Sequence, residues 1–213
     1  SEILLHEKFD EPTQQEFLTT IYKQSSLMAN ILNELLDLAR IEARRDKDFF
    51  YTQVHLQDLL LDLIKGYQLP PERSAPELEL PLKPLYLTAD SGKLRQALLN
   101  VISNAYKYSP QGGAVRVKVG FEEAVGHAPK VNITVTDHGI GLTQEQLKRV
   151  CERFYRADTS GKILGTGLGM SIVKEIVELH RGQLSIHSTY GQGTCVSLYL
   201  PAHGTLQRLH TLI

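Results

Sequence analysis

Cysteine is scarce. Only Cys151 and Cys195 occur, with no CxxC pair and no histidine-rich surroundings at metal-ligand spacing. That removes the usual zinc signatures and makes a reduced cytosolic setting a simpler reading than a disulfide between them. Long apolar runs are also missing. Nothing approaches the roughly 18 residues that a membrane helix requires, and no signal peptide is visible. Charge of either sign is not in excess: 23 Lys and Arg stand against 24 Asp and Glu, dispersed along the chain. A net charge of −1 gives no footing to a nucleic-acid partner or to direct contact with an acidic membrane surface. Internal repeats and low-complexity stretches are absent. What is present is 42% hydrophobic and 22% charged residues over 213 positions. That balance suits one soluble domain with a real core and a smaller appended element. Ser1 opens abruptly on an apolar helical pattern, as a cut piece of a longer parent would, so the parent need not be soluble.

Residues 14–45 read as one long helix. Leu18, Ile21, Ser25, Met28, Leu32, Leu35 and Ala39 step by three and four, a heptad-like seam. Asp10, Glu11 and Pro12 form its start signal. Ser1–Lys8 reads as the last turns of an earlier helix, giving a hairpin of a helical bundle. The charged run Arg44-Arg45-Asp46-Lys47-Asp48 marks a boundary, so residues 1–46, 47–201 and 202–213 are expected to be a helical segment, a domain and a tail. Within the domain, Phe49–Val54 predicts a strand and Leu56–Tyr67 a helix, followed by short proline-punctuated edge strands at Leu78–Leu80 and Leu85–Thr88. Further on, helices are expected at Ser91–Tyr108 and Leu168–His180. Strands are expected at Ala114–Phe121, Val131–Thr136, Gln183–His187 and Cys195–Leu200. Strands and helices without strict alternation favour a mixed sheet with helices on one face, an α/β sandwich.

Three segments carry chemistry. Gly165-Thr166-Gly167-Leu168-Gly169 opens a helix after a polar loop. It has neither the strand and spacing of a dinucleotide fingerprint nor the Lys-Ser/Thr ending of a P-loop. Its exposed N–H groups and positive dipole end suit a phosphate chain; a flexible turn is the bland alternative. Asp137-His138-Gly139-Ile140-Gly141 ends the strand Val131–Thr136, where a carboxylate can accept from an exocyclic amine and glycines let a flat base lie against the backbone. Asn100 and Asn104 lie one turn apart on one helical face among Leu98, Leu99, Val101 and Ile102. Amide oxygens there suit Mg2+, with Lys107 in reach of the same phosphates. A pair of buried amides satisfying a neighbouring loop is the alternative.

Together these segments resemble the sensor histidine kinases. Asn100-Val-Ile-Ser-Asn104-Ala-Tyr-Lys107-Tyr108 resembles their asparagine box, Asp137–Gly141 the first glycine box and Gly165–Gly169 the second. Glu152-Arg-Phe154-Tyr155-Arg156-Ala-Asp158 resembles the phenylalanine box, and Gly191-Gln-Gly193-Thr194 the glycine turn before the last strand. Leu35-Leu-Asp-Leu-Ala-Arg-Ile-Glu42 resembles the end of the second dimerisation helix. The resemblance implies a GHKL-type ATPase fold behind a helical hairpin fragment, with ATP or ADP and Mg2+ as ligands. It implies that Asp137 reads the adenine amine with Gly139 and Gly141 shaping that wall, that Tyr108 borders the base and ribose, and that Ile140 and Thr194 belong to the ATP-binding set. Asn104 and Asn100 would hold Mg2+ and Lys107 would contact phosphate. Phe154 to Leu164, including Tyr155, would form a mobile lid with Arg156 a candidate phosphate contact, and Gly165, Thr166, Gly167, Leu168 and Gly169 would hold the phosphates. Gyrase-type and chaperone-type relatives place a glutamate base at position 100. An amide cannot deprotonate water, which favours transfer over hydrolysis.

The resemblance also implies a histidine acceptor, a homodimer through the helices, and a response-regulator receiver domain as partner. His6-Glu7 starts like the acceptor box, but Pro12 falls one residue late and the Leu-Arg-Thr is missing. His6 also lies too close to Arg40 for two helices to fit between them. The acceptor is therefore expected outside these residues, with no catalytic residue of its own in the chain, in a cytoplasmic location. A nucleotide-sensing scaffold and a GHKL-type ATPase are the competing classes.

Overall fold

Helix α1 (Glu11–Arg44) begins where Asp10 accepts the first intrahelical hydrogen bond, from Gln14 N–H at 3.0 Å. Pro12 falls in its first turn, where a missing N–H costs nothing, and Glu11 complements the positive helix end. The computed structural model describes residues 9–44, 50–123, 129–158 and 165–202. The first arm of the expected hairpin, at 1–8, therefore lies outside the described residues, as do most of the tail and positions 159–164 of the expected lid. Only the later turns of α1 meet the domain. Leu38 is 3% exposed within the core and Leu35 packs against it, whereas Leu18, Ile21, Met28 and Leu32 stay exposed.

The rest is a mixed five-stranded sheet carrying its helices on one face. β2 (Glu77–Glu79), β4 (Arg116–Glu122), β5 (Lys130–Thr136), β7 (Gly193–Pro201) and β6 (Gln183–Thr189) lie side by side in that order. Only β2 and β4 run parallel. Period-2 alternation decides the faces. Val117, Val119, Val131, Ile133, Val135, Val196 and Leu198 are buried, and the register sets Val119, Ile133 and Leu198 in one row. The other face is polar, with the Thr134 hydroxyl 3.0 Å from both Asn132 Oδ1 and Ser197 Oγ. Onto the apolar face pack α3 (Ser91–Lys107), through Leu94, Leu98, Val101 and Ile102, and α5 (Gly169–Leu179), through Ile172, Val173 and Ile176.

β1 (Thr52–His55) pairs antiparallel with β3 (Tyr86–Ala89) in a separate ribbon, and α2 (Leu56–Lys65) starts at once after β1. The expected strand at Phe49–Val54 is therefore shifted towards the helix, because its partner is β3 and Leu56 N–H already bonds Leu85 O at 2.9 Å. The short helix α4 (Gln144–Arg149) was not expected, since none of its residues is buried and no apolar period marks it. Its signal is a capping box: Thr143 accepts from Gln146 N–H while the Gln146 side chain accepts from Thr143 N–H.

A buried histidine ties two of these helices together. His180, at the end of α5, bonds Ile176 O through Nδ1 at 2.7 Å, and its Nε2 accepts Asp90 N–H at 3.0 Å from the start of α3. With Nε2 accepting, the ring is the neutral tautomer protonated on Nδ1. Burial pulls its pKa below 6.5, against smaller opposing contributions from the Ile176 carbonyl and Asp90. A neutral His in the fold and a protonatable one in the unfolded chain means the unfolded state takes up the proton first. Stability from His180 is thus complete above pH 6.5 and is lost as pH falls below that value. Thermal melts from pH 7.5 to 5 should show this decline, and His180→Gln should flatten it; an equal slope in the variant would assign the pH response elsewhere.

Candidate functional site

A cleft of about 1100 Å3, counted out to its open mouth, lies between α3, the start of α5 and the adjoining ends of β5 and β7. Helix α3 is set by its N-cap, where Asp90 Oδ1 accepts Lys93 N–H at 3.0 Å. With Leu94, Leu98 and Ile102 turned into the core, Asn100, Asn104 and Lys107 fall on the cleft side. The two amides meet the start of α5. Asn100 Nδ2 donates to Gly169 O at 3.5 Å, and a side chain on Gly169 would come within 3.9 Å of Asn104 Nδ2.

Asp137 closes the opposite end. It is 7% exposed, and its Oδ1 accepts two backbone N–H groups, Gly139 at 2.8 Å and Thr194 at 3.2 Å. Burial raises the carboxyl above its ordinary pKa, while those two hydrogen bonds pull it back. With Oδ1 doubly occupied, Oδ2 carries most of the remaining acceptor capacity toward the cleft that Asp137 lines. Gly139 shapes this end without lining it. A Cβ there would lie 2.1 Å from the Tyr108 carbonyl, so only glycine lets the loop pass the end of α3. Tyr108 itself, Ile140, Gly141 and Thr194 line the cleft. Burial raises the Tyr108 pKa, opposed by the charge of Arg156 nearby.

The glycine loop supplies the third wall, with Gly165, Thr166, Gly167 and Gly169 at the cleft. Leu168 serves differently: its side chain is fully buried among the core residues and anchors the loop, while its N–H donates to Thr166 Oγ at 3.1 Å. Phe154 likewise acts through its backbone, which sits so close to Gly167 that a Cβ there would fall 2.6 Å from the Phe154 carbonyl carbon. Phe154 is 59% exposed, whereas the neighbouring Tyr155 lines the cleft beneath the Arg149 guanidinium. Of the residues singled out from sequence, then, Gly139, Phe154, Arg156 and Leu168 do not line the cleft and the others do.

Sequence reasoning missed Ser103, Met170 and Glu34, all cleft-lining. Ser103 shares the helical face of Asn100, Asn104 and Lys107 and was readable from that spacing. Glu34 was not, because its contact lies 132 residues away: it accepts the Thr166 hydroxyl. Among the described residues no three His, Cys, Asp or Glu side chains cluster as a metal cage. The oxygen donors beside the glycine loop are the two amides and the single Glu34 carboxylate, which fits Mg2+ shared with phosphate oxygens and not a cation held by protein alone.

A family model described as "Histidine kinase-, DNA gyrase B-, and HSP90-like ATPase" matches residues 89–204, a span that includes all three walls of the cleft. The chain belongs to this ATPase family. Among its relatives, the Non-motile and phage-resistance protein of Caulobacter vibrioides is 30% identical over 98% of this chain, and Sensor histidine kinase WalK of Bacillus subtilis 33% identical over 87%. The chain spans only 25% and 30% of the lengths of these two relatives. A solved structure, the mycobacterial sensor histidine kinase MprB, aligns with a TM-score of 0.60 at 29% identity, covering 72% of this chain and 99% of that one. The mixed sheet and one-sided helices are thus those of the histidine kinase ATPase domain, and ATP binding is implied by the family itself. No helix among the described residues is long and apolar enough to cross a membrane.

Proposed function

We propose that this chain is the Mg2+-ATP-binding part of a cytoplasmic sensor histidine kinase that passes the γ-phosphoryl group to a histidine outside these residues, and from there to a response-regulator receiver domain. The carrying observation is one cleft with a buried carboxylate at one end and paired amides against a glycine-led helix start at the other. Asp137 would accept from the adenine amine, Tyr108 and Thr194 would flank the base, and Lys107 and the α5 start would neutralise phosphate charge. Mg2+, held by Asn104 and Asn100, would supply further neutralisation; the remaining catalysis is positioning. Residues 1–46 would be the dimerisation segment, and the exposed stripe of Leu18, Ile21, Met28 and Leu32 on α1 supports a second copy as its partner.

The metal assignment is testable by calorimetry. Asn104→Ala is expected to weaken ATP binding about tenfold in Mg2+, the loss of one ligand, and far less in EDTA. Equal losses in both buffers would reduce Asn104 to a structural amide.

A further inference from the structure

Among the described residues, Glu34 is the one cleft-lining residue that α1 contributes, and apart from Asp137 it is the only acidic one. It belongs to the face by which α1 docks. Leu38 is buried in the core, Leu35 packs beside it, and Asp37 accepts from Gln96 Nε2 at 2.8 Å with Lys93 Nζ at 3.9 Å. Spacing of three and four residues puts Glu34 on that same face. From there the carboxylate accepts the Thr166 hydroxyl, whose oxygen accepts the Leu168 N–H where α5 starts. A negative charge carried by the long helix is therefore fastened to the loop at the amide-and-glycine end of the cleft.

We propose that Glu34 senses the terminal phosphate of the nucleotide: it latches α1 to the glycine loop, and the charge of a nucleoside triphosphate displaces it. The inference rests on the reading of the cleft as an ATP site. Two anions at one partly buried site repel strongly, and the terminal phosphate adds the charge that a diphosphate lacks. Triphosphate binding and α1 docking then oppose each other by the same factor in both directions. The long helix is released when ATP is bound and re-latches around ADP. Glutamine at this position keeps an oxygen for the Thr166 hydroxyl and removes only the charge, so latch and repulsion can be separated.

The test uses the full chain, its Glu34→Gln and Glu34→Ala variants, and titration with ATP and ADP in EDTA. Glu34→Gln should bind ATP about tenfold tighter than the parent and ADP at most a few-fold tighter, with the gap narrowing at high salt. Hydrogen exchange gives the second readout. ATP should speed exchange along the docking face around Leu35 and Leu38 in the parent more than ADP does, and Glu34→Ala should show that faster exchange without nucleotide. If Glu34→Gln binds ATP no tighter than the parent while both nucleotides still bind, the phosphate-sensing role is wrong and the cleft assignment stands. Weaker ATP binding in Glu34→Gln would make the carboxylate a structural support of the glycine loop, which also overturns the proposal. If the parent binds neither nucleotide, the ATP-site reading itself fails and takes this inference with it.

Discussion

Asp137→Asn is expected to reduce ATP affinity about fivefold to a hundredfold while leaving the protein folded and no less stable. The asparagine Oδ1 can still accept the Gly139 and Thr194 N–H groups, so the loop keeps its hydrogen bonds. Its Nδ2 then takes the place of the second carboxylate oxygen and points a donor at the adenine amine, itself a donor. An unsatisfied polar pair of that kind costs about 1–3 kcal/mol, which is roughly fivefold to more than a hundredfold in affinity. Stability moves the other way. The carboxyl pKa is raised by burial, so its ionised form is a liability at neutral pH that is relieved only as pH falls through the raised value. A neutral amide removes that liability. Calorimetry and thermal melts on the same samples separate the two effects, and a parallel fall in both would make Asp137 a structural residue alone.

Incubated with radiolabelled ATP, the chain is expected to bind nucleotide yet incorporate essentially no phosphate. No imidazole among the described residues lines the cleft: His180 is spent on Asp90 and Ile176, and His138 bonds Ala114 O at 3.2 Å. Losing a positioned nucleophile forfeits the large advantage of an intramolecular reaction. Asn100 cannot act as base toward water either, so hydrolysis should also be slow. Supplying a longer form with the acceptor helix should restore acid-labile phosphate on histidine. Strong labelling of the present chain that disappears in His6→Gln would make His6 the acceptor and this a complete kinase.

Much of the site was legible because its chemistry is local. Asn100, Asn104 and Lys107 announce themselves by helical spacing, and Asp137 by standing at the end of an alternating strand. Two kinds of information were not legible. The first is whether a residue works through its side chain or its backbone: Leu168 and Gly139 sit in recognisable boxes, yet one is a core anchor and the other a steric allowance for Tyr108. The second is long-range contact, as with Glu34 and Thr166. The apolar stripe of α1 shows the same limit. The seam read from Leu18 to Ala39 meets the domain only at Leu35; beyond it Leu38 takes the buried position and Ala39 is exposed, because the face that docks is set by the partner surface. Helix α4 escaped notice because a capping box, not an apolar period, defines it.

The bond between His180 and Asp90 also has a mechanical side. The last residues of α5 are pinned to the first residues of α3, while the cleft lies toward the other ends of both helices, at Asn104 and Gly169. The pair therefore resembles a pair of tweezers joined at the back. Sliding one helix along the other would break the pin and drag two rows of interlocked aliphatic side chains past each other. Parting the cleft ends costs neither, only the long Asn100–Gly169 hydrogen bond. A ligand entering the cleft therefore acts on the long arm of a lever whose fulcrum is a single imidazole, and acidification, by protonating that imidazole, loosens the joint rather than the jaws.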